Sequence, residues 1–162
     1  MKKKLITGLL LLALPASMLV AQKKDSILTL PGVTVTALAK VNRQIDQTFR
    51  NTFPDAMNLH WYKQDKYYLA KFISEDMKHN ALFQKNGYLK YDISFGYENN
   101  LPDEVKSLVA SNYADCQITR TINLKGSDRD VWVVNLESVK RYYTVSVEQG
   151  ELSVVEQYEK AN

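Results

Sequence analysis

Two histidines and one cysteine are the side chains of this sequence best suited to bind a metal or attack a substrate: His60, His79 and Cys116. Metal sites use close ligand spacings such as Cys-x-x-Cys and His-Glu-x-x-His, and neither occurs here. The two histidines could approach one another across strands, but exposed strand histidines are the simpler interpretation. Asp128 and Asp130 in GSDRD suggest calcium, yet the further oxygen ligands of a calcium loop are absent, which favours a solvated hairpin tip. We predict no metal site and no cofactor.

The motifs do not support a nucleophilic enzyme. The chain has no Gly-x-Ser-x-Gly turn, no Ser-x-x-Lys beyond residue 21 and no glycine-rich phosphate loop. A thiol dyad of Cys116 with either histidine can be drawn, but a helix-to-strand joint favours a small buried residue there. The adjacent carboxylates Glu75 and Asp76 lie in a predicted turn and do not converge on a substrate. We predict no catalytic residues and no enzyme, and a metal-dependent or thiol hydrolase is the least favoured alternative.

Residues 1–21 have the plan of a secretory signal peptide. A basic start, MKKK, precedes an apolar run from Leu5 to Val20 and the small residue Ala21. The run is interrupted and too short for a comfortable membrane span of about 20 residues. We therefore predict cleavage near Ala21 and a periplasmic or secreted protein without a membrane span, and an uncleaved anchor is the alternative.

The charge balance argues against nucleic acid as a partner. Three of the 21 basic residues lie in the signal peptide, so 18 basic residues remain against 18 acidic ones. Binding to phosphates requires a basic patch, which a surplus confined to a targeting segment does not supply. With a single cysteine no intrachain disulfide can form, so core burial must stabilise the remaining chain.

Periodic patterns predict the elements that position these side chains. Residues 22–37 form an N-terminal extension. Apolar residues then recur every four positions over 41–53 and predict an amphipathic helix, which Pro54 ends. Four strand-like runs follow over 57–95, separated by short turns, so they predict an antiparallel meander. The Asn-Gly pair at 86–87 is the clearest turn, because glycine supplies the positive φ angle of a tight hairpin.

The same order of elements recurs in the second half. A helix opens at Pro102, and four further strand-like runs follow over 117–158. Internal self-similarity of this kind indicates a repeat. The sequence therefore predicts an α+β fold with two tandem repeats, 38–97 and 98–160, each with one helix packed on its own four-stranded antiparallel meander sheet.

Several structural residues resemble a known family. They are Phe53, Pro54, Ala56, Trp61, Phe83, Gly87, Leu101 and Pro102. Their order, with Phe-Pro-x-Ala after a helix, a strand with tryptophan and a helix opened by Leu-Pro, looks like the secreted PepSY-like family, described as β-lactamase-inhibitor-like. The resemblance covers residues 38–158. It implies a helix on each four-stranded sheet and a role in binding or inhibiting other proteins. The second half lacks Phe-Pro and the first-strand tryptophan, so a function tied to them is expected only in the first half.

Strand alternation divides the side chains between two faces. In the first sheet, the residues expected to face the helix are Leu59, Trp61, Tyr68, Ala70, Phe72, Ala81, Phe83, Leu89 and Tyr91. The residues expected on the opposite face are Tyr62, Tyr67, Leu69, Ile73, Leu82 and Tyr88 among His60, Lys71, Lys90 and Asp92. An exposed set so rich in tyrosine predicts a partner, because tyrosine offers large contact area at low entropic cost.

The predicted partner-binding residues are therefore His60, Tyr62, Tyr67, Lys71, Tyr88 and Tyr142. We expect them to bind another envelope or extracellular protein, which this chain holds or inhibits. Self-association through the same face and ordinary cross-strand pairing are the alternatives. A rival interpretation is a small-ligand or peptide-sensing module in which the aromatic face forms a groove.

Overall fold

The computed structural model describes residues 35–37 and 39–161. The predicted signal peptide and most of the predicted N-terminal extension lie outside the described residues. The helices are α1 (Arg43–Thr52) and α2 (Asp103–Asn112), the latter preceded by a 3₁₀ turn at Glu98–Asn100. The strands are β1 (Val35–Ala37), β2 (Met57–Gln64), β3 (Tyr67–Ser74), β4 (Met77–Gln84), β5 (Leu89–Gly96), β6 (Gln117–Gly126), β7 (Asp130–Glu137), β8 (Arg141–Glu148) and β9 (Glu151–Glu159). Within the described residues, neither helix has the length and apolar character needed to cross a membrane.

All nine strands belong to one antiparallel sheet, in which strands that follow each other in the chain are neighbours. The strands of the two halves meet where β5 pairs with β6, through pairs such as Ser94 with Asn123 and Gly96 with Thr121. The prediction of two tandem repeats, each with its own four-stranded sheet, is therefore wrong. Two separate meanders would leave β5 and β6 as edges with unpaired N–H and C=O groups, and pairing the two edges satisfies those groups. β1, which belongs to the predicted extension, pairs with β2 at the end of the sheet.

α1 packs on the first half of the sheet through its apolar stripe. The Asn42 side chain caps the helix by accepting a hydrogen bond from the N–H of Ile45 at 3.0 Å. The helix ends at Thr52, just before Pro54, as the restricted backbone before proline requires. The buried residues of this first core are Ile45, Phe49, Ala70, Phe72, Ala81 and Phe83.

α2 packs on the second half of the sheet. Pro102 precedes its first turn, where the acidic Asp103 and Glu104 complement the positive end of the helix dipole. The buried residues of this second core are Leu101, Val109, Val134, Leu136, Val145 and Val147.

One row of paired residues shows that both helices cover the same face of the sheet. From the first core to the second it runs through Phe72, His79, Ser94, Asn123, Trp132 and Val147. Directly paired residues project from the same face. The sheet therefore has a helix face, which carries both cores, and a helix-free face.

Candidate binding sites on the two sheet faces

Four of the six predicted binding residues lie together on the helix-free face. His60 pairs with Lys71 between β2 and β3, and Tyr62 and Tyr67 share the alternation of the same two strands. The ammonium nitrogen of Lys71 is 5.2 Å from the centre of the Tyr62 ring. That of Lys90 is 5.0 Å from the centre of the Tyr67 ring. These are cation–π distances, so this group presents aromatic rings with positive charge beside them.

The other two predicted residues lie elsewhere. Tyr88, 46% exposed, precedes β5 and lines a cleft on the helix face. Tyr142, also 46% exposed, lies on β8 opposite Tyr158, and the Lys160 ammonium is 4.9 Å from its ring centre. Five strand spacings separate β3 from β8, so Tyr142 is about 24 Å along the sheet from the Tyr67 group. The six residues do not form one site.

An apolar band fills the middle of the helix-free face between β3 and β7. Its members share one alternation through the paired strands and are Leu69, Leu82, Tyr91, Ile93, Phe95, Ile122, Leu124, Val131 and Val133. Leu124 is 39% exposed, although it lies on a central strand. Neither helix covers the band, because both cores lie on the opposite face. Sequence alternation identified only part of it.

A β-bulge in β5 explains why the β5 members of the band, Tyr91, Ile93 and Phe95, were missed. Phe83 pairs with Leu89 but Leu82 pairs with Tyr91, so Lys90 is an extra residue opposite β4. An extra residue reverses the alternation for the rest of the strand. The sequence interpretation placed Tyr91 toward the helix and Asp92 on the opposite face, and the structure reverses both assignments.

A cleft of about 780 Å³ lies on the helix face between the two cores. The residues after α1, from Phe53 to Asp55, form one side, and Asn100 to Pro102 before α2 form the other. Its floor consists of polar residues that are nonetheless buried: Ser74, His79, Asp92, Ser94 and Asn123. Sequence analysis gave no indication of this polar floor, because the bulge in β5 concealed that Asp92 and Ser94 point to the helix face.

His79 and Asp92 form a buried pair in the cleft floor, each only 7% exposed. His79 Nδ1 is 2.8 Å from Asp92 Oδ2, and Nε2 is 3.2 Å from the carbonyl oxygen of Ser74. Both partners are hydrogen-bond acceptors, and a ring nitrogen that carries a proton donates to the acceptor beside it. The ring also stacks on Phe72 at 4.8 Å. The interpretation of His79 as an exposed strand histidine is therefore wrong.

The second carboxylate oxygen of Asp92 has a different environment. Asp92 Oδ1 is buried and has no hydrogen-bond partner, and it is the one such side-chain atom among the described residues. A buried acceptor without a partner costs about 1–3 kcal/mol, and more when it is charged. Unpaired buried polar atoms of this kind are uncommon and call for an explanation.

Further along the floor, Asp130 links two neighbouring side chains. Asn123 Nδ2 donates to Asp130 Oδ1 at 2.6 Å, and the Lys125 ammonium is 3.9 Å from Asp130 Oδ2. Asp130 is the first residue of β7, whereas the sequence interpretation placed it at a hairpin tip. Within the part of the chain that the structure describes, no group of three or more His, Cys, Asp or Glu side chains could hold a metal ion.

Cys116 is a half-buried residue of the second core, beside Tyr113 and Ile118. Burial raises the pKa of its thiol, and the neighbouring carboxylate of Asp115, 3.7 Å from Sγ, raises that pKa further. A nucleophilic thiol requires the opposite shift, because the thiolate is the reactive form. Cys116 packs with the second core, whereas His79 packs against Phe72 of the first core.

No protein-family model matches the chain, and no curated protein matches it. Its fold is similar to that of solved structures from Bacteroides. A BLIP-like protein from Bacteroides fragilis is 18% identical with a TM-score of 0.56, over 76% of this chain and 89% of that one. A DUF2874 family protein from Bacteroides uniformis is 11% identical with a TM-score of 0.53, over 74% and 90%. A protein from Bacteroides eggerthii, described as a candidate periplasmic protein, is 14% identical with a TM-score of 0.52, over 75% and 90%.

These similarities establish the fold of the chain. At the level of the fold, the BLIP-like structure supports the resemblance to β-lactamase-inhibitor-like proteins that the sequence suggested. None of these three structures is described as a PepSY protein.

Proposed function

We propose that this protein is a non-enzymatic, periplasmic or secreted protein-binding module whose binding surface is the helix-free face. The BLIP-like neighbour supports a binding or inhibiting role, and the candidate periplasmic neighbour supports the location. Inhibition of the bound protein is one form of this role, and the partner is another envelope or extracellular protein.

The observation that carries this proposal is the apolar band at the centre of the helix-free face. Leu124 is 39% exposed, Leu82 is buried at 5%, and the other members of the band are half-buried, so the band is partly open to solvent. A large contiguous apolar patch that a soluble monomer leaves uncovered usually serves an interaction. The band has Tyr62, Tyr67 and Lys71 at one end and Tyr142 near the other. An apolar centre surrounded by tyrosine and charged side chains is the usual composition of a protein interface. The face is broad rather than enclosed, which favours a protein over a small ligand.

A charge placed in the band provides the test. Leu124→Lys should abolish retention of the partner when the mature chain is used as bait in an extract of its own cell envelope. Val139→Lys is the matched control, since Val139 is 90% exposed in the β7–β8 turn, away from the band. Circular dichroism must first show that both variants are folded. Hydrogen exchange of the bait with and without the captured protein then locates the contact.

Three outcomes separate the alternatives. Loss of the partner with Leu124→Lys alone, together with exchange protection over β3 to β7, supports the proposal. A wild-type dimer in sedimentation velocity that Leu124→Lys dissociates would assign the face to self-association instead. Equal capture by wild type, Leu124→Lys and a Tyr62→Ser, Tyr67→Ser variant would refute binding through this face.

A further inference from the structure

We propose that the helix-face cleft binds a small molecule with an ammonium or guanidinium group on an apolar body. This site lies on the opposite face of the sheet from the proposed protein-binding surface and does not depend on it. The cleft volume of about 780 Å³ is within the range of small-molecule sites, about 300–1,000 Å³.

The charge of the cleft favours a cation. Four carboxylates line it, those of Asp55, Glu75, Asp92 and Asp130, against the single lysine Lys125. Lys125 is already near Asp130 and His79 is hydrogen-bonded to Asp92. Among the described residues, no basic side chain lies within 4 Å of the carboxylates of Asp55 or Glu75. The entrance between α1 and the β3–β4 turn is therefore negative.

The walls favour an apolar or aromatic body on the ligand. They include Phe53 and Leu89 from the first core and Leu101 and Trp132 from the second. A cation attached to such a body would bury its apolar surface between the two cores while its charge lies near the acidic entrance and floor. Apolar walls with a few convergent polar groups are typical of ligand sites.

The polar floor supplies the recognition group. Ordinary packing between two cores would be apolar, yet Ser74, His79, Asp92, Ser94 and Asn123 are all buried there. Asp92 Oδ2 is held by His79, whereas Asp92 Oδ1 accepts no hydrogen bond from any described residue. A ligand N–H that reaches Oδ1 would form a charge-assisted hydrogen bond and remove the cost of the unpaired acceptor.

The test uses phenethylamine as the probe in calorimetric titration of the mature chain at low salt. Two compounds of similar size serve as controls: 3-phenylpropionate, which is an anion, and phenethyl alcohol, which is neutral. We expect the amine to bind, the alcohol to bind at least 10-fold more weakly, and the acid not to bind. The Trp132 indole N–H signal should shift in NMR spectra on binding, while that of Trp61, packed in the first core, should not.

Variants connect the binding to the carboxylates. Asp92→Asn should weaken amine binding by about 10-fold to 100-fold, as expected for the loss of a charge-assisted hydrogen bond. Asp55→Asn with Glu75→Gln changes only exposed residues and should weaken it by several-fold without affecting folding. Asp65→Asn, at the exposed β2–β3 turn, is the control and should have no effect.

The outcomes decide the proposal even if Asp92→Asn does not fold, because the Asp55 and Glu75 variant tests the same charge preference. Equal affinity for all three probes, or amine binding unchanged in every acidic variant, would overturn it. Absence of amine binding at about 10 mM would also overturn it, as would a signal shift at residues of the helix-free face instead of Trp132.

Discussion

Replacing His79 with phenylalanine removes both hydrogen bonds of the buried ring while preserving its stacking on Phe72. The variant loses the 2.8 Å contact with Asp92 and the 3.2 Å contact with the Ser74 carbonyl. It also leaves both oxygens of the Asp92 carboxylate without a partner, because Oδ1 already has none. A buried acceptor left without a partner costs about 1–3 kcal/mol, and more when it is charged. We expect His79→Phe to lower the free energy of unfolding by about 2–4 kcal/mol.

The companion change, Asp92→Asn, is expected to cost much less by itself. An amide oxygen still accepts from His79 Nδ1, so the loss is the difference between a charged and a neutral hydrogen bond, about 1 kcal/mol. In the His79→Phe background the same change replaces an unpaired buried charge by an unpaired neutral amide. The double variant should therefore be more stable than His79→Phe by about 2 kcal/mol. The effect of Asp92→Asn on the free energy of unfolding is therefore destabilising with His79 and stabilising with phenylalanine at residue 79.

The assay is equilibrium unfolding in urea, followed by tryptophan fluorescence, with the slope of the transition compared between variants to confirm that the folded states are alike. His60→Phe is the matched control: His60 is exposed, and its replacement should change the free energy of unfolding by less than about 0.5 kcal/mol. If Asp92→Asn destabilises the His79→Phe variant further, the His79–Asp92 hydrogen bond does not stabilise the buried carboxylate as described. The reasoning would also be refuted if His79→Phe and His60→Phe lowered the free energy of unfolding by the same amount.

Three further predictions concern local features. In the same urea assay, Gly87→Ala should lower the free energy of unfolding by about 2–4 kcal/mol and Gly150→Ala by about 1 kcal/mol. Both glycines have φ of 80–85°, but a Cβ at Gly87 would also lie 3.0 Å from the Gln44 carbonyl oxygen. Equal losses of stability in the two variants would contradict this packing. Asn42→Ala should cost about 1–2 kcal/mol through loss of the helix cap, whereas Asn42→Ser should retain most of the stability. Near neutral pH, iodoacetamide should alkylate Cys116 more slowly in the folded chain than in the urea-unfolded chain, because the raised pKa of the Cys116 thiol lowers its thiolate fraction. The difference between the two alkylation rates should diminish as the pH rises above that pKa.

Local sequence signals predicted the helices and several of the turns. The four-residue recurrence up to Phe53 predicted α1, and Pro54 marked its end because the residue before proline avoids helical backbone angles. The Asn-Gly pair at 86–87 predicted the turn between β4 and β5, and Gly87 has a φ of 85° there. The Tyr62, Tyr67 and Lys71 group was also predictable, because regular alternation along β3 and along β2 from His60 onward places these residues on one face.

Two decisions were made only by the tertiary structure. The first is the pairing of β5 with β6 into one nine-stranded sheet, which joins strands on either side of α2 and has no signature in either strand. The second is the bulge at Lys90, which turns Ile93 and Phe95 to the helix-free face and Asp92 to the cleft floor. Both depend on which strand lies opposite. Two edge strands pair only when the two halves of the chain come together, and a bulge is defined only by the register of the partner strand. The sequence by itself indicated the order of the helices and main strands, and long-range pairing determined which side chains share a surface.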